Sequence, residues 1–149
     1  MKTFTFCPIS DKMVNERVAR VNAAFTVFIL IAFAYTQSIL LIIFLAVDFL
    51  LRASDYSRFS IIGMASRNIL KYLPLKENLI NAGPKILAAR IGLVITTLIV
   101  AAFLSAFNIL TLVLAGILTL FSSLEGAFGL CVACKVYPYI YQFLYKRKF

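Results

Sequence analysis

Apolar residues fill four long stretches of the chain, separated by short polar punctuation. Val14, Val18, Val21 and Phe25 recur at helical spacing. A helix is expected to start near Ser10 or Asp11, because either side chain can accept from an unpaired backbone N–H. It leads into a first apolar run, Val21 to Thr36. Gln37 and Ser38 interrupt, and a second run follows from Ile39 to Leu51. Each is short for a hydrocarbon core that needs about 20 residues, but the flanks extend both into tilted spans. A single long bent helix through both runs is the competing pattern. The first run also resembles a secretory signal, with Ala32-Phe33-Ala34 as a small-x-small site. The expectation here is that it is retained.

Between residues 54 and 84 the pattern changes. Arg58, Arg67, Lys71 and Lys76 alternate with Ile61, Ile62, Met64, Ile69, Leu70 and Leu73. This is an amphipathic basic segment suited to the headgroup plane, broken by Pro74. Gly83-Pro84 marks the end of one helix and the first turn of the next. A third span runs from Lys85 to Ala106, Phe107-Asn108 turns the chain, and a fourth runs from Ile109 to Leu130. The tail carries Tyr137, Tyr139, Tyr141 and Tyr145 before Lys146-Arg147-Lys148, an aromatic belt with a basic anchor. The expected fold is all-α, a single polytopic membrane domain over residues 1–149. It is a four-helix transmembrane bundle (about 19–36, 38–53, 85–106 and 109–130) with amphipathic cytoplasmic helices. Ala101, Ala102, Ser105, Ala115, Gly116, Ser122 and Ser123 would let the last two spans approach closely.

Composition agrees. Of 149 residues, 62% are hydrophobic and 14% charged, against about 45–50% and about 25% in soluble domains. There is no histidine, which excludes Ser-His-Asp triads, Cys-His pairs and His-ligated zinc or haem. The six acids are scattered, and no glycine-rich phosphate loop is present. The net charge of +9 flanks the apolar runs, a pattern of membrane topology rather than nucleic-acid binding. Four basic residues precede the first run, six lie from Arg52 to Lys85, and four follow from Lys135. The turns near Gln37 and Asn108 carry none. Both termini and the central segment are therefore expected on the cytoplasmic side.

Three ionisable residues fall inside the expected spans: Asp48, Arg90 and Glu125. Buried charges in a bilayer point to function by default. Counted along their helices, all three sit about 6–9 Å inside the cytoplasmic edge. They can form one network, in which Arg90 and Glu125 pair and Asp48 also reaches Arg52 at i+4. Their bland reading is ion pairs that set helix register.

The chemistry-bearing residues are Cys7, Cys131 and Cys134. Cys131-Val132-Ala133-Cys134 is a C-x-x-C at the polar end of a span, followed by Lys135, whose charge favours thiolate. Cys7 precedes the first expected helix, whose N-terminus stabilises an anion. Such thiols can cycle between dithiol and disulfide, pass sulfane sulfur, bind a soft metal such as Cu(I), or remain inert. Cys131 and Cys134 would be the redox pair and Cys7 an auxiliary nucleophile. Arg90 and Lys135 would stabilise thiolate, with Glu125 and Asp48 as proton relay or ion pair. A membrane quinone is a conceivable acceptor. The alternatives are a small-anion transporter or channel subunit that oligomerises, and a scaffold recruiting a cytoplasmic partner.

Three blocks carry a resemblance. The first is Phe6-Cys7-Pro8-Ile9-Ser10, Val14-Asn15-Glu16-Arg17-Val18 and Asn22-Ala23. The second is Gly83-Pro84-Lys85 with Ala88-Ala89-Arg90-Ile91-Gly92. The third is Leu124-Glu125 with Gly129-Leu130-Cys131-Val132-Ala133-Cys134-Lys135-Val136-Tyr137. Together they resemble a bacterial integral membrane family, domain of unknown function 4395. The resemblance implies an inner-membrane location and places Cys7, Arg90, Glu125, Cys131 and Cys134 in motif blocks. It also implies thioredoxin-like or sulfurtransferase partners. Ala133 stands where the family suggests glycine, and Ile86-Leu87 where it suggests a basic-aromatic pair.

Overall fold

The computed structural model describes residues 13–54 and 56–129, with Lys135, Tyr139, Gln142 and Phe143 beyond them. The fold is all-helical, built on α1 (Glu16–Thr36), α2 (Ile39–Ala53), α3 (Ile61–Tyr72), α4 (Gly83–Leu104) and α5 (Asn108–Phe128). A short antiparallel pair, β1 (Met13–Asn15) and β2 (Leu79–Asn81), joins the start of α1 to the approach to α4. In its register Val14 faces Ile80.

The beginning of α1 corrects the expected start near Ser10. Residues 13–15 are extended because their backbone pairs with β2. The helix begins at Glu16, where the Asn15 side chain accepts from the Arg17 N–H at 3.0 Å. α1 ends on Gln37, which adopts a left-handed conformation (φ 50°) and donates its N–H to the Phe33 carbonyl at 2.8 Å. The long bent helix is thereby excluded, since α2 turns back. Its late residue Asp48 and the early α1 residue Asn22 both meet the short helix α3.

α4 opens with proline in its first turn, as its missing N–H allows. The residues before it form the strand β2 rather than a helix, which ended at Tyr72. The α4–α5 turn lies at Ser105–Phe107, starting two residues before the expected Phe107-Asn108, with Ala106 at φ 59°.

Four helices close a ring in the order α1, α2, α4, α5, each antiparallel to its neighbours. Leu30, Phe33, Ile42, Leu45, Phe49, Ile99, Ala115 and Leu118 fill its centre. Phe33 meets Phe103 edge-on at 6.1 Å. Of the expected small residues Ala102, Ala115 and Ser122 are buried, and two further glycines, Gly126 and Gly92, sit at the α1–α5 and α2–α4 seams. Gly126 lies against the α1 backbone, where a Cβ would stand 3.6 Å from the Arg20 carbonyl oxygen. At Gly92 a Cβ would sit 2.6 Å from the Phe49 ring. Gly116 faces open space.

The outside of the ring is apolar. Phe28, Tyr35, Leu40 and Ile109 are each at least 72% exposed, which no water-facing bundle sustains. α1, residues 85–104 of α4 and α5 are long and apolar enough to cross a membrane. Inside them Thr26, Thr96 and Thr111 donate to carbonyls one turn back, so their hydroxyls are satisfied without water. α2 has 15 residues, about 22 Å of helix against a core of about 30 Å.

Candidate functional site

One end of the ring is polar, and α3 is docked there by two side-chain anchors. Asp48, near the end of α2, is 2% exposed. Its Oδ1 accepts from Ser60 Oγ at 2.6 Å and from the Ile62 N–H at 3.3 Å, and its Oδ2 is ion-paired with Arg52. Ser60 is the N-cap of α3 and accepts from the Gly63 N–H at 3.1 Å. The carboxylate therefore sits where the α3 dipole is positive. The second anchor is Ser66 Oγ, which donates to Asn22 Oδ1 of α1 at 2.5 Å.

Arg52 is held on two sides. Besides Asp48, its guanidinium stacks 4.7 Å from the centroid of Phe49. Its Nε is buried with no acceptor among the described residues. Across the ring, Lys85 in the first turn of α4 donates to Glu125 in the last turn of α5 at 2.5 Å.

The Lys85–Glu125 pair differs from the expected network, in which Arg90 meets Glu125. Lys85, Ala89 and Gly92 fall at i, i+4 and i+7 and share the inward face of α4. Arg90, five positions after Lys85, is turned roughly 140° away and is exposed. The described residues thus hold two separate ion pairs at one end, Asp48–Arg52 and Lys85–Glu125.

Between these pairs lies a cavity of about 510 Å³. Arg52, Arg67, Lys85 and Glu125 line its polar part, and Phe49, Ile95, Leu118 and Phe121 its apolar part. β1 borders it through Met13, Val14 and Asn15.

A third charged group stands beside the cavity. Glu16 Oε2 accepts from Asn78 Nδ2 at 2.6 Å, and the Glu16 N–H donates to the Asn78 carbonyl at 2.9 Å. Arg20, one turn later on α1, has a buried Nε with no partner among the described residues. Both reach the end of α5. A Cβ at Gly129 would be 2.9 Å from Arg20 Nη2 and 3.0 Å from Glu16 Oε1. Gly129 caps α5 with φ +64° and donates to the Glu125 carbonyl at 3.0 Å. Positive φ and crowding both demand glycine there.

Cys7, Cys131 and Cys134 lie outside the described residues, and Lys135 is exposed. Among the described residues no three His, Cys, Asp or Glu side chains gather as metal ligands. Sequence reasoning missed Arg20, Glu16 and the partner role of Lys85. Lys85 was legible from its spacing to Ala89 and Gly92. Arg20 carried no local signal, because its significance arises only from the packing of α1 on α5.

No curated protein and no solved structure matches the chain. The profile of the family described as domain of unknown function (DUF4395) matches residues 14–142. That match takes in α1 to α5, both ion pairs, Gly129 and the C-x-x-C, and so the chain belongs to this family.

Proposed function

We propose that the chain is a membrane-embedded thiol protein of the bacterial inner membrane. It has four spans, with both termini and α3 on the cytoplasmic side. Cys131 and Cys134 exchange with a disulfide of a soluble thioredoxin-like partner: one S–S bond forms here as one breaks there, two electrons passing to the partner sulfurs together with the two thiol protons. Cys7 is the auxiliary nucleophile: its thiolate attacks the outer sulfur of a persulfide on the partner, the partner S–S bond breaks as the Cys7 S–S bond forms, and the partner sulfur leaves as thiolate.

The observation that carries this reading is the contact of Gly129 with Glu16 and Arg20. Cys131 follows Gly129 by two residues, and Cys7 precedes the strand that leads directly into Glu16. Both cysteine-bearing segments therefore join the bundle at one end. Arg20, partly buried with its Nε out of contact with solvent, supplies a cation at the point where the C-x-x-C segment departs, and a cation favours thiolate. Six basic residues between Arg52 and Lys85 support the cytoplasmic assignment. α2 spans by local thinning of the bilayer and by its packing on α4.

The test is alkylation of the full chain in membranes with a maleimide polymer, before and after mild oxidation. Oxidation is expected to protect two thiols, and Cys131→Ser or Cys134→Ser is expected to abolish that protection. An unchanged mass shift in both single variants would sink the redox role. A second reading, a small-anion transporter subunit, draws on the cations at the cavity. Anion flux in proteoliposomes that survives removal of all three thiols would favour it.

A further inference from the structure

The cavity is asymmetric along the bundle axis. Lys85 and Ile95 both line it, and ten residues of helix separate them, about 15 Å. Glu125 and Leu118 are likewise about 10 Å apart along α5. The lining thus passes from charged to apolar as it enters the bundle, and most of its residues carry no polar side-chain atom. At the polar end Arg52, Arg67 and Lys85 face one lining carboxylate, Glu125. Among the described residues, with Asp48 counted behind Arg52, three cations stand against two carboxylates.

Arg52 adds a specific feature. Its guanidinium is held by Asp48 and by the Phe49 ring, so the side chain that lines the cavity is fixed in place. Arg67 also lines the cavity, and its one described bond is from Nη2 to the Arg58 carbonyl at 3.0 Å. A guanidinium offers five N–H donors in a planar fork matched to phosphate and carboxylate.

We propose that this cavity binds an anionic amphiphile. A phosphate or carboxylate head accepts from Arg52 and Arg67, and an apolar tail lies along Ile95, Leu118 and Phe121. A neutral head would offer the guanidinium forks of Arg52 and Arg67 no charged acceptor. A small hydrated anion would leave the apolar walls unfilled. The volume of about 510 Å³ falls within the range of small-molecule sites. The proposal does not rest on the thiols.

The test uses delipidated full-length protein in neutral detergent, with binding followed by native mass spectrometry. The probes are dioleoylphosphatidylglycerol, dioleoylphosphatidylcholine and sodium phosphate. The anionic lipid is expected to bind at least about tenfold tighter than the zwitterionic one, the scale of one charged hydrogen bond. Asp48→Asn combined with Arg52→Gln keeps a neutral pair in place and is expected to erase most of that preference. Should this double variant fail to fold, Arg67→Gln, on the rim of the cavity, is expected to reduce the preference several-fold. Ser122→Phe fills the cavity from α5 and is expected to abolish binding of the anionic lipid.

Equal affinity for the two lipids would overturn the proposal, as would undiminished binding by Ser122→Phe. Displacement of the anionic lipid by equimolar inorganic phosphate would also overturn it, since the site would then recognise a free anion. The variant with all three cysteines changed to serine is expected to bind as the parent does, so a failed alkylation assay and a failed lipid assay are read apart.

Discussion

Asp48 carries more of the polar end than any other single side chain. One carboxylate holds Arg52, the N-cap hydroxyl of α3 and the Ile62 N–H. Removing one partner of a buried ion pair leaves the other charge uncompensated. Asp48→Ala is therefore expected to cost about 3–5 kcal/mol, read as a fall in thermal stability in detergent. Ser60→Ala removes the cap but keeps the ion pair, and is expected to cost about 1–2 kcal/mol. Equal losses in the two variants would show that the cap, not the charge, is the anchor. The pairing of Asp48 with Arg52 was readable from their i, i+4 spacing on one helix. The spacing of Lys85 to Ala89 and Gly92 put it on one face of α4, but its pairing with Glu125 was not readable, because Glu125 is on the neighbouring helix. There the choice between Lys85 and Arg90 is made by which face of α4 turns inward, and that depends on packing.

At the scale of elements, the seam between α2 and α4 depends on an absent side chain. The Phe49 ring fills the space over Gly92. Gly92→Ala would push that ring out of place, and overpacking of this kind costs about 1–3 kcal/mol. Pairing it with Phe49→Leu is expected to recover much of the loss, measured by the same melting experiment. A Gly126→Ala variant meets only ordinary contacts and is expected to melt close to the parent. The four long helices were legible in the sequence, since apolar runs bounded by Gln37-Ser38 and Gly83-Pro84 leave few alternatives. The strands β1 and β2 were not. Three residues each, with Val14 also fitting a helical period, give no local signal that outweighs the helix pattern. Only the meeting of the two segments in space makes them strands.

For the whole molecule, the ring order and the apolar exterior fit a bundle that crosses a membrane, and the proposed four-span arrangement can be tested directly. Single cysteines introduced at Gln37, Phe107 and Lys71 in a cysteine-free chain report it. Gln37→Cys and Phe107→Cys are expected to label from one side of the membrane, and Lys71→Cys from the other. Labelling of Gln37→Cys and Lys71→Cys from the same side would mean that α2 does not cross, and the four-span reading would fall. The unpartnered side of α3 bears Ile61, Met64, Ile69 and Tyr72, all exposed, beside Lys71 and Arg67. Docked through Ser60 and Ser66, this helix presents that amphipathic basic face at the polar end of the ring, the composition expected of a segment in the headgroup plane.

The pairing of residues 13–15 with residues 79–81 also has a consequence for biosynthesis. The leading strand emerges from the ribosome long before its mate exists. Until α1, α2 and α3 have been made, residues 13–15 have no strand to pair with. Their attachment is thus a late event, timed with delivery of α4, and a ribosome stalled before residue 79 would hold a nascent chain whose first strand is still unclasped.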